Sequence, residues 1–169
     1  MKKRFAVCAV LFGLGLLATT GVGHAQGSDS DKIFVATAAQ AGVDEIQLSE
    51  LAETKTSNPE VKKFAQTMVT QHMELAEQIK PFALEWNVPV PMDMDSEHKA
   101  EYEKLNALSG EAFDKEYIDA MVQDHTKALE LFTAEVSSAQ DERLRQTVLK
   151  GKTVVDSHRI MAVDLQKKL

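Results

Sequence analysis

Four residues able to do chemistry interrupt four apolar stripes, each about halfway along its stripe. Glu45 falls among Phe34, Ala38, Ala41, Leu48 and Ala52. His72 falls among Val61, Ala65, Met68, Leu75, Ile79, Phe82 and Trp86. His125 falls among Ile118, Met121, Ala128 and Phe132, and His158 among Leu144, Val148, Gly151, Val155, Ala162 and Leu165. Spacings of three and four put each set on one face of a helix. Burying a carboxylate is costly unless it is paired, and a buried imidazole needs partners for both nitrogens. A lone histidine on an apolar face is more often a satisfied core residue than a ligand. Three from three helices at one depth, with a glutamate on the fourth, point either to metal ligation or to a metal-free His–Glu hydrogen-bond layer.

Neutral imidazoles with one carboxylate suit zinc, iron, copper or nickel, whereas magnesium and calcium prefer oxygen shells. The paired-carboxylate di-iron pattern needs Glu-x-x-His on two helices. Here the residue three before each histidine is Val69, Val122 or Val155, so a single mononuclear site is expected. Met68 and Met121 each lie one turn before a core histidine. Thioether beside imidazole favours copper(I), although methionine is also an ordinary core filler. Asp124 and Asp156 adjoin histidines in sequence and point to other faces. No Gly-rich phosphate loop, nucleophile elbow or His-Glu-x-x-His is present, and no catalytic residue is assigned.

The elements that must position these residues read as helices throughout. Four long patterns cover about 31–56, 59–86, 111–138 and 141–168, with a shorter amphipathic one from about Ser96 to Leu108. Ser30 or Asp31 is expected to cap the first. Asn58 and Pro59 supply an N-cap and a first helical position for the second. Pro81 should kink that helix or end its regular part. Tight turns join the first pair and the last pair. The two dozen residues between the pairs can run the length of a bundle, which would set the second and third long helices parallel. This is the crossover of ferritin-like folds; an up-down-up-down bundle with a decorated loop is the alternative. The expected fold is thus an all-α, ferritin-like four-helix bundle of two helical hairpins joined by a long crossover with a short extra helix, spanning 31–169. An echo supports paired hairpins: Phe64 to His72 matches Tyr117 to His125, with aromatic, Met, Val and His at the same offsets.

Residues 1–25 read as a secretory signal peptide. Lys2, Lys3 and Arg4 precede an apolar run from Phe5 to Ala18, and Gly23-His24-Ala25 fits a cleavage site before Gln26. The run is too short for an ordinary membrane span of about 20 residues; an uncleaved anchor is the alternative. A polar tail, 26–30, would follow. Cys8 would leave with the signal, so the mature chain has no disulfide and no thiolate ligand. The chain carries 19 Lys and Arg against 26 Asp and Glu, a net −7 that becomes −10 once the three leader bases are lost. That charge disfavours nucleic acid and anionic lipid as partners. The leader implies a periplasmic protein, with peripheral attachment to the envelope as a further option, acting as a monomer or homodimer.

The mature chain, from about Ile33 to Leu165, resembles exported bacterial proteins with a ferritin-like domain often labelled "predicted outer membrane protein". The resemblance rests on Phe34-x-x-x-Ala38-Ala39, Glu45-x-x-Leu48-x-x-Leu51-Ala52 and Val61-Lys-x-Phe64-Ala65-x-x-Met68-Val69-x-x-His72. It continues in Leu108-x-Gly110-x-x-Phe113-Asp114-x-x-Tyr117, His125 and His158. It implies a helical bundle outside the cytoplasm and no established activity. Residue 71 is Gln where that family often has Asp. The outer-membrane label conflicts with the lack of alternating strands that a barrel requires. A second exported helical family, rich in His and Met and linked to copper handling, is distantly similar through Met-x-x-x-His. The function expected is transition-metal handling or stress tolerance through Glu45, His72, His125 and His158, with Met68 and Met121 as further candidate ligands. The alternatives are a structural or interaction module with a metal-free polar layer, and a metal-dependent redox enzyme.

Overall fold

A computed structural model describes residues 27–169; the expected signal peptide and Cys8 lie outside the described residues. Five helices form, α1 Asp29–Lys55, α2 Pro59–Trp86, α3 Ser96–Ala107, α4 Gly110–Ser138 and α5 Glu142–Gln166, with no strand among the described residues. No described helix is long and apolar enough to cross a membrane.

Local chemistry sets most boundaries. Asn58 accepts from the amides of Glu60 and Val61, with Pro59 at the first helical position. Asn87 ends α2 in the left-handed conformation, φ 55°, which Asn tolerates better than most residues. Asp95 caps α3 and Asp141 caps α5. One expectation changes. The first helix starts earlier, at Asp29, because Ser28 rather than Ser30 or Asp31 accepts from the Asp31 amide at 3.1 Å. The tail shortens accordingly, and Gly27 lies so close to the Trp86 indole that a Cβ there would stand 2.6 Å from the ring. Pro81 lies inside α2, which runs on to Trp86, the end the sequence predicts. Pro81 and Glu77, the residue whose carbonyl loses its partner, are both exposed, so water can serve that carbonyl. Beyond Pro81, Phe82, Ala83 and Trp86 are buried. Burial of two aromatics at about 1.5–3 kcal/mol each offsets a proline penalty of about 3 kcal/mol.

Contacts at the ends fix the directions of the long helices. Arg143, at the start of α5, forms a bidentate pair with Glu85 near the end of α2, at 2.9 and 3.0 Å. Lys168, just past α5, reaches Glu60 at the start of α2. Thus α2 and α5 are antiparallel. Ser49 bonds Tyr117 at 2.9 Å and Phe34 meets Phe132 edge-on, so α1 and α4 are antiparallel too. Since α4 and α5 form a hairpin, α2 and α4 are parallel, and the segment carrying α3 crosses the length of the bundle.

The core divides into two apolar clusters. One gathers Leu48, Phe64, Met68, Leu105, Phe113, Tyr117 and Met121. The other gathers Phe34, Ile79, Phe82, Trp86, Phe132, Leu144 and Val148. Glu45, His72, His125 and His158 occupy the sequence positions between these two sets on their four helices.

Candidate metal centre

All four residues are buried, with His158 and His125 at 0% and 1% exposure and Glu45 and His72 at 5% and 7%. The three imidazoles come together as a triangle, with ring centroids 5.6 Å apart for His72 and His125, 5.2 Å for His72 and His158, and 5.3 Å for His125 and His158. One ring nitrogen of each lies within 4.8 Å of the other two. Glu45 stands at the margin of this group, its Oε1 3.7 Å from His125 Nδ1.

Hydrogen bonds on the far side of two rings fix their tautomers. His125 Nδ1 donates to the Met121 carbonyl at 2.9 Å, one turn back on α4. That leaves the lone pair on Nε2, which is buried without a hydrogen-bond partner. His158 Nε2 donates to Gln71 Oε1 at 2.6 Å, which leaves the lone pair on Nδ1, also unpartnered. His72 Nε2 and Glu45 Oε2 are buried and unpartnered as well. An outer acceptor that orients a ring and leaves its inner nitrogen bare is the arrangement common around ligating histidines.

The electrostatics favour neutral rings. Burial pushes His72 well below the ordinary histidine range, and the neighbouring His125 and His158 push the same way. Burial lowers His125 to about 4 against the opposing effects of the Met121 carbonyl and Asp124. His158 falls to about 3 through burial and His125. Burial first, then the charges of Asp124 and Asp44, hold the Glu45 carboxyl well above its usual range. Near neutral pH the layer therefore presents three uncharged imidazoles beside a carboxyl whose burial favours the protonated form. A metal ion would take the imidazole lone pairs and reverse the preference at Glu45.

Met68 and Met121 are fully buried in the same apolar cluster, on one side of the histidines as the parallel α2 and α4 require. Asp124 is half-buried and pairs with Lys127, and Asp156 pairs with Arg159. Two features escape a reading of the stripes. Gln71 lies off the apolar face of α2, and only the packing of α5 against α2 shows that it orients His158. The other is a cleft of about 690 Å³, lined largely by apolar side chains, that reaches Glu45, His72 and His125. Its walls include Ala38, Ala41 and Gly42 on α1, Ala76 on α2, Ala128 on α4 and Gly151 on α5. Small side chains at these positions leave the space; their size was the available signal.

Fold and site together define an all-α bundle with a buried cluster of metal-competent histidines. The chain belongs to the family described as domain of unknown function DUF4142, whose model matches residues 17–165. No curated protein matches it. Among solved structures it is similar to a DUF305 fragment from Deinococcus radiodurans, with TM-score 0.73 and 16% identity over 85% of this chain and 99% of that one. A DUF305 protein from Streptomyces coelicolor gives TM-score 0.72 and 15% identity over 82% and 93%. CopM in its Cu(II)-bound form gives TM-score 0.70 and 19% identity over 82% and 96%. CopM is also similar in Cu(I)-bound and Ag-bound forms. At these identities the likeness is one of fold.

Proposed function

We propose that this is an exported, ferritin-like bundle that binds one transition metal ion and serves metal handling or stress tolerance. His72, His125 and His158 supply the imidazole ligands, with Glu45 as the neighbouring carboxylate. One observation carries the reading: three neutral imidazoles cluster, one nitrogen of each within 4.8 Å of the other two, and each ring has a buried nitrogen free of hydrogen bonds. A polar layer serving only helix register would satisfy those atoms within itself. Copper is the ion of choice, since the fold neighbour CopM is described with Cu(I), Cu(II) and silver. Met68 and Met121 give soft donors on one side of the layer. Export accords with the leader-like first 25 residues and with the description of the Streptomyces neighbour as secreted.

The test is metal content of the tag-free protein by mass spectrometry, followed by titration of the apoprotein with Cu(I), Zn(II) and Fe(II). Tight binding at the layer that disappears in His125→Ala supports the site and names the ion. Equal affinity in His72→Ala, His125→Ala and His158→Ala would reduce the layer to a structural element.

A second reading, a metal-dependent redox enzyme, draws on the cleft that opens onto Glu45, His72 and His125. Catalytic metal sites keep an open position, and an apolar cleft of this size suits a small substrate. Turnover by the loaded protein, abolished in His125→Ala, would favour it.

A further inference from the structure

A second group of metal-competent side chains, Asp44, Asp95 and His98, shares no residue with the histidine layer, and its His98 lines the same cleft. His98, in the first turn of α3, enters between carboxylates of three elements. Its Nδ1 lies 2.9 Å from Asp95 Oδ1 and 3.3 Å from Asp44 Oδ2. On the other side of the ring, Nε2 faces Asp124 Oδ2 at 3.9 Å. Asp44 is 1% exposed, although it sits on α1 among residues that would ordinarily be apolar. Its Oδ1 is occupied, accepting from Gln40 Nε2 and from the Asp95 amide, both at 3.0 Å. Its Oδ2 is buried, accepts no hydrogen bond and points at His98.

We propose that Asp44, Asp95 and His98 form a second divalent-cation site, with His98 on the lining of the cleft that reaches the histidine layer. An ion with bonds of about 2.0–2.2 Å separates adjacent ligand atoms by about 2.8–3.6 Å, from octahedral to tetrahedral angles. The two separations around His98 Nδ1, 2.9 and 3.3 Å, fall in that range. An ion there would replace the proton that Nδ1 now shares with Asp95. It would also bind Asp44 Oδ2, which now has only its 3.3 Å ion pair with His98 and no hydrogen bond, and leave Nε2–H to Asp124, an outer carboxylate of the kind that steadies ligating histidines. Two carboxylates and one imidazole, with solvent completing the shell, suit Zn(II) or Mn(II) better than the soft Cu(I) favoured at the layer.

The experiment counts Zn(II) bound by the tag-free protein, by calorimetry and by mass spectrometry after gel filtration. Wild type should bind two equivalents. His125→Ala should retain one, and adding His98→Ala to it should remove that last one. Asp95→Asn should weaken the outer site at least tenfold while leaving the layer's affinity within about twofold, with helicity by circular dichroism as the folding control. The site does not depend on the proposed function: one equivalent kept in His125→Ala and lost in His98→Ala would uphold it even if the layer bound nothing. Unchanged stoichiometry and affinity in folded His98→Ala and Asp95→Asn would overturn it, leaving an ion-pair latch between α1 and α3.

Discussion

His158 Nε2 donates to Gln71 Oε1 across the α2–α5 interface at 2.6 Å. This bond sets the tautomer of His158 and leaves the lone pair on its buried Nδ1. Gln71→Leu should free the ring to flip or change tautomer and leave Nε2–H buried without an acceptor. Outer-shell partners of ligating histidines are worth about 10–100-fold in metal affinity. A loss of that size, with helicity retained, is expected by competitive titration of Cu(I). Wild-type affinity in Gln71→Leu would show that the bond orients nothing.

The metal-free protein should weaken on acidification. The unfolded chain takes up protons near the ordinary histidine value of 6.5, whereas the folded chain refuses them at His125 until about 4 and at His158 until about 3. These groups therefore contribute stability that is present above 6.5 and lost as pH falls through those values. Each gives a slope of about 1.4 kcal/mol per pH unit within its window, so His125 alone is worth on the order of 3 kcal/mol. Glu45 acts in the opposite sense: its raised value stabilises the fold below 4.5, and that contribution is lost as pH rises through the folded value. Urea midpoints of the apoprotein at pH 7 and pH 5 should differ, and His125→Leu should shrink the difference. A pH dependence left unchanged in His125→Leu would contradict a buried neutral ring at that position.

Asp31 ties the start of α1 to the α4–α5 turn at the same end of the bundle. It is fully buried on α1, and its carboxylate accepts from the amides of Gln140 and Asp141, both at 3.2 Å, at the turn into α5. Asp31→Ala should strand both donors and cost about 1–3 kcal/mol. Asp31→Asn keeps one acceptor and removes a charge that, after burial, raises the Glu135 carboxyl, so its loss should be smaller. Thermal unfolding that ranks Ala no lower than Asn would refute this account.

What was legible in the sequence was local. Asn58-Pro59 and Asp141 mark helix starts because capping uses neighbouring amides. The length between the hairpins was compatible with the crossover that the end-to-end contacts of Arg143 and Lys168 display. Less legible was whatever depends on contacts distant in sequence. Asp31 reads as a cap for its own helix, yet it serves a turn 109 positions away. Asp44 and Ser49 look like solvent-facing residues, and both are buried by bonds to Asp95 and Tyr117. His98 has no stripe to mark it; it matters because the crossover lays α3 against Asp44. The alanines of α1 and α4 count as core in a periodic pattern, but a pattern of apolar positions carries no volume, and here they border a cleft.

Gly151 keeps that cleft in shape. A Cβ at this position would stand 2.7 Å from Phe132 Cε1 and 3.5 Å from Leu75 Cδ2. Gly151→Ala must therefore displace the Phe132 ring, which also packs edge-on against Phe34 at 5.1 Å. Overpacking of this kind costs about 1–3 kcal/mol. The half-buried Ala128 offers a gentler probe, since Ala128→Leu adds volume to the cleft wall one turn from His125. If the cleft is the route to the layer, Ala128→Leu should slow Cu(I) uptake in stopped flow more than it changes equilibrium affinity. Equal slowing of uptake and release is the signature expected; unaltered rates would place the route elsewhere.

Met68 and Met121 test whether the soft donors matter. Both are fully buried, and Leu is close to Met in volume, so each Met→Leu change should cost less than about 1.5 kcal/mol. If a thioether joins the layer, the double variant should lose affinity for Cu(I) far more than for Zn(II), because Zn(II) is held well by nitrogen and oxygen alone. Competition titrations with the two ions on one protein stock give the ratio directly. A ratio that falls tenfold or more assigns at least one sulfur to the site. A ratio that holds, with both affinities intact, leaves the methionines as core packing and both sulfurs outside the donor set.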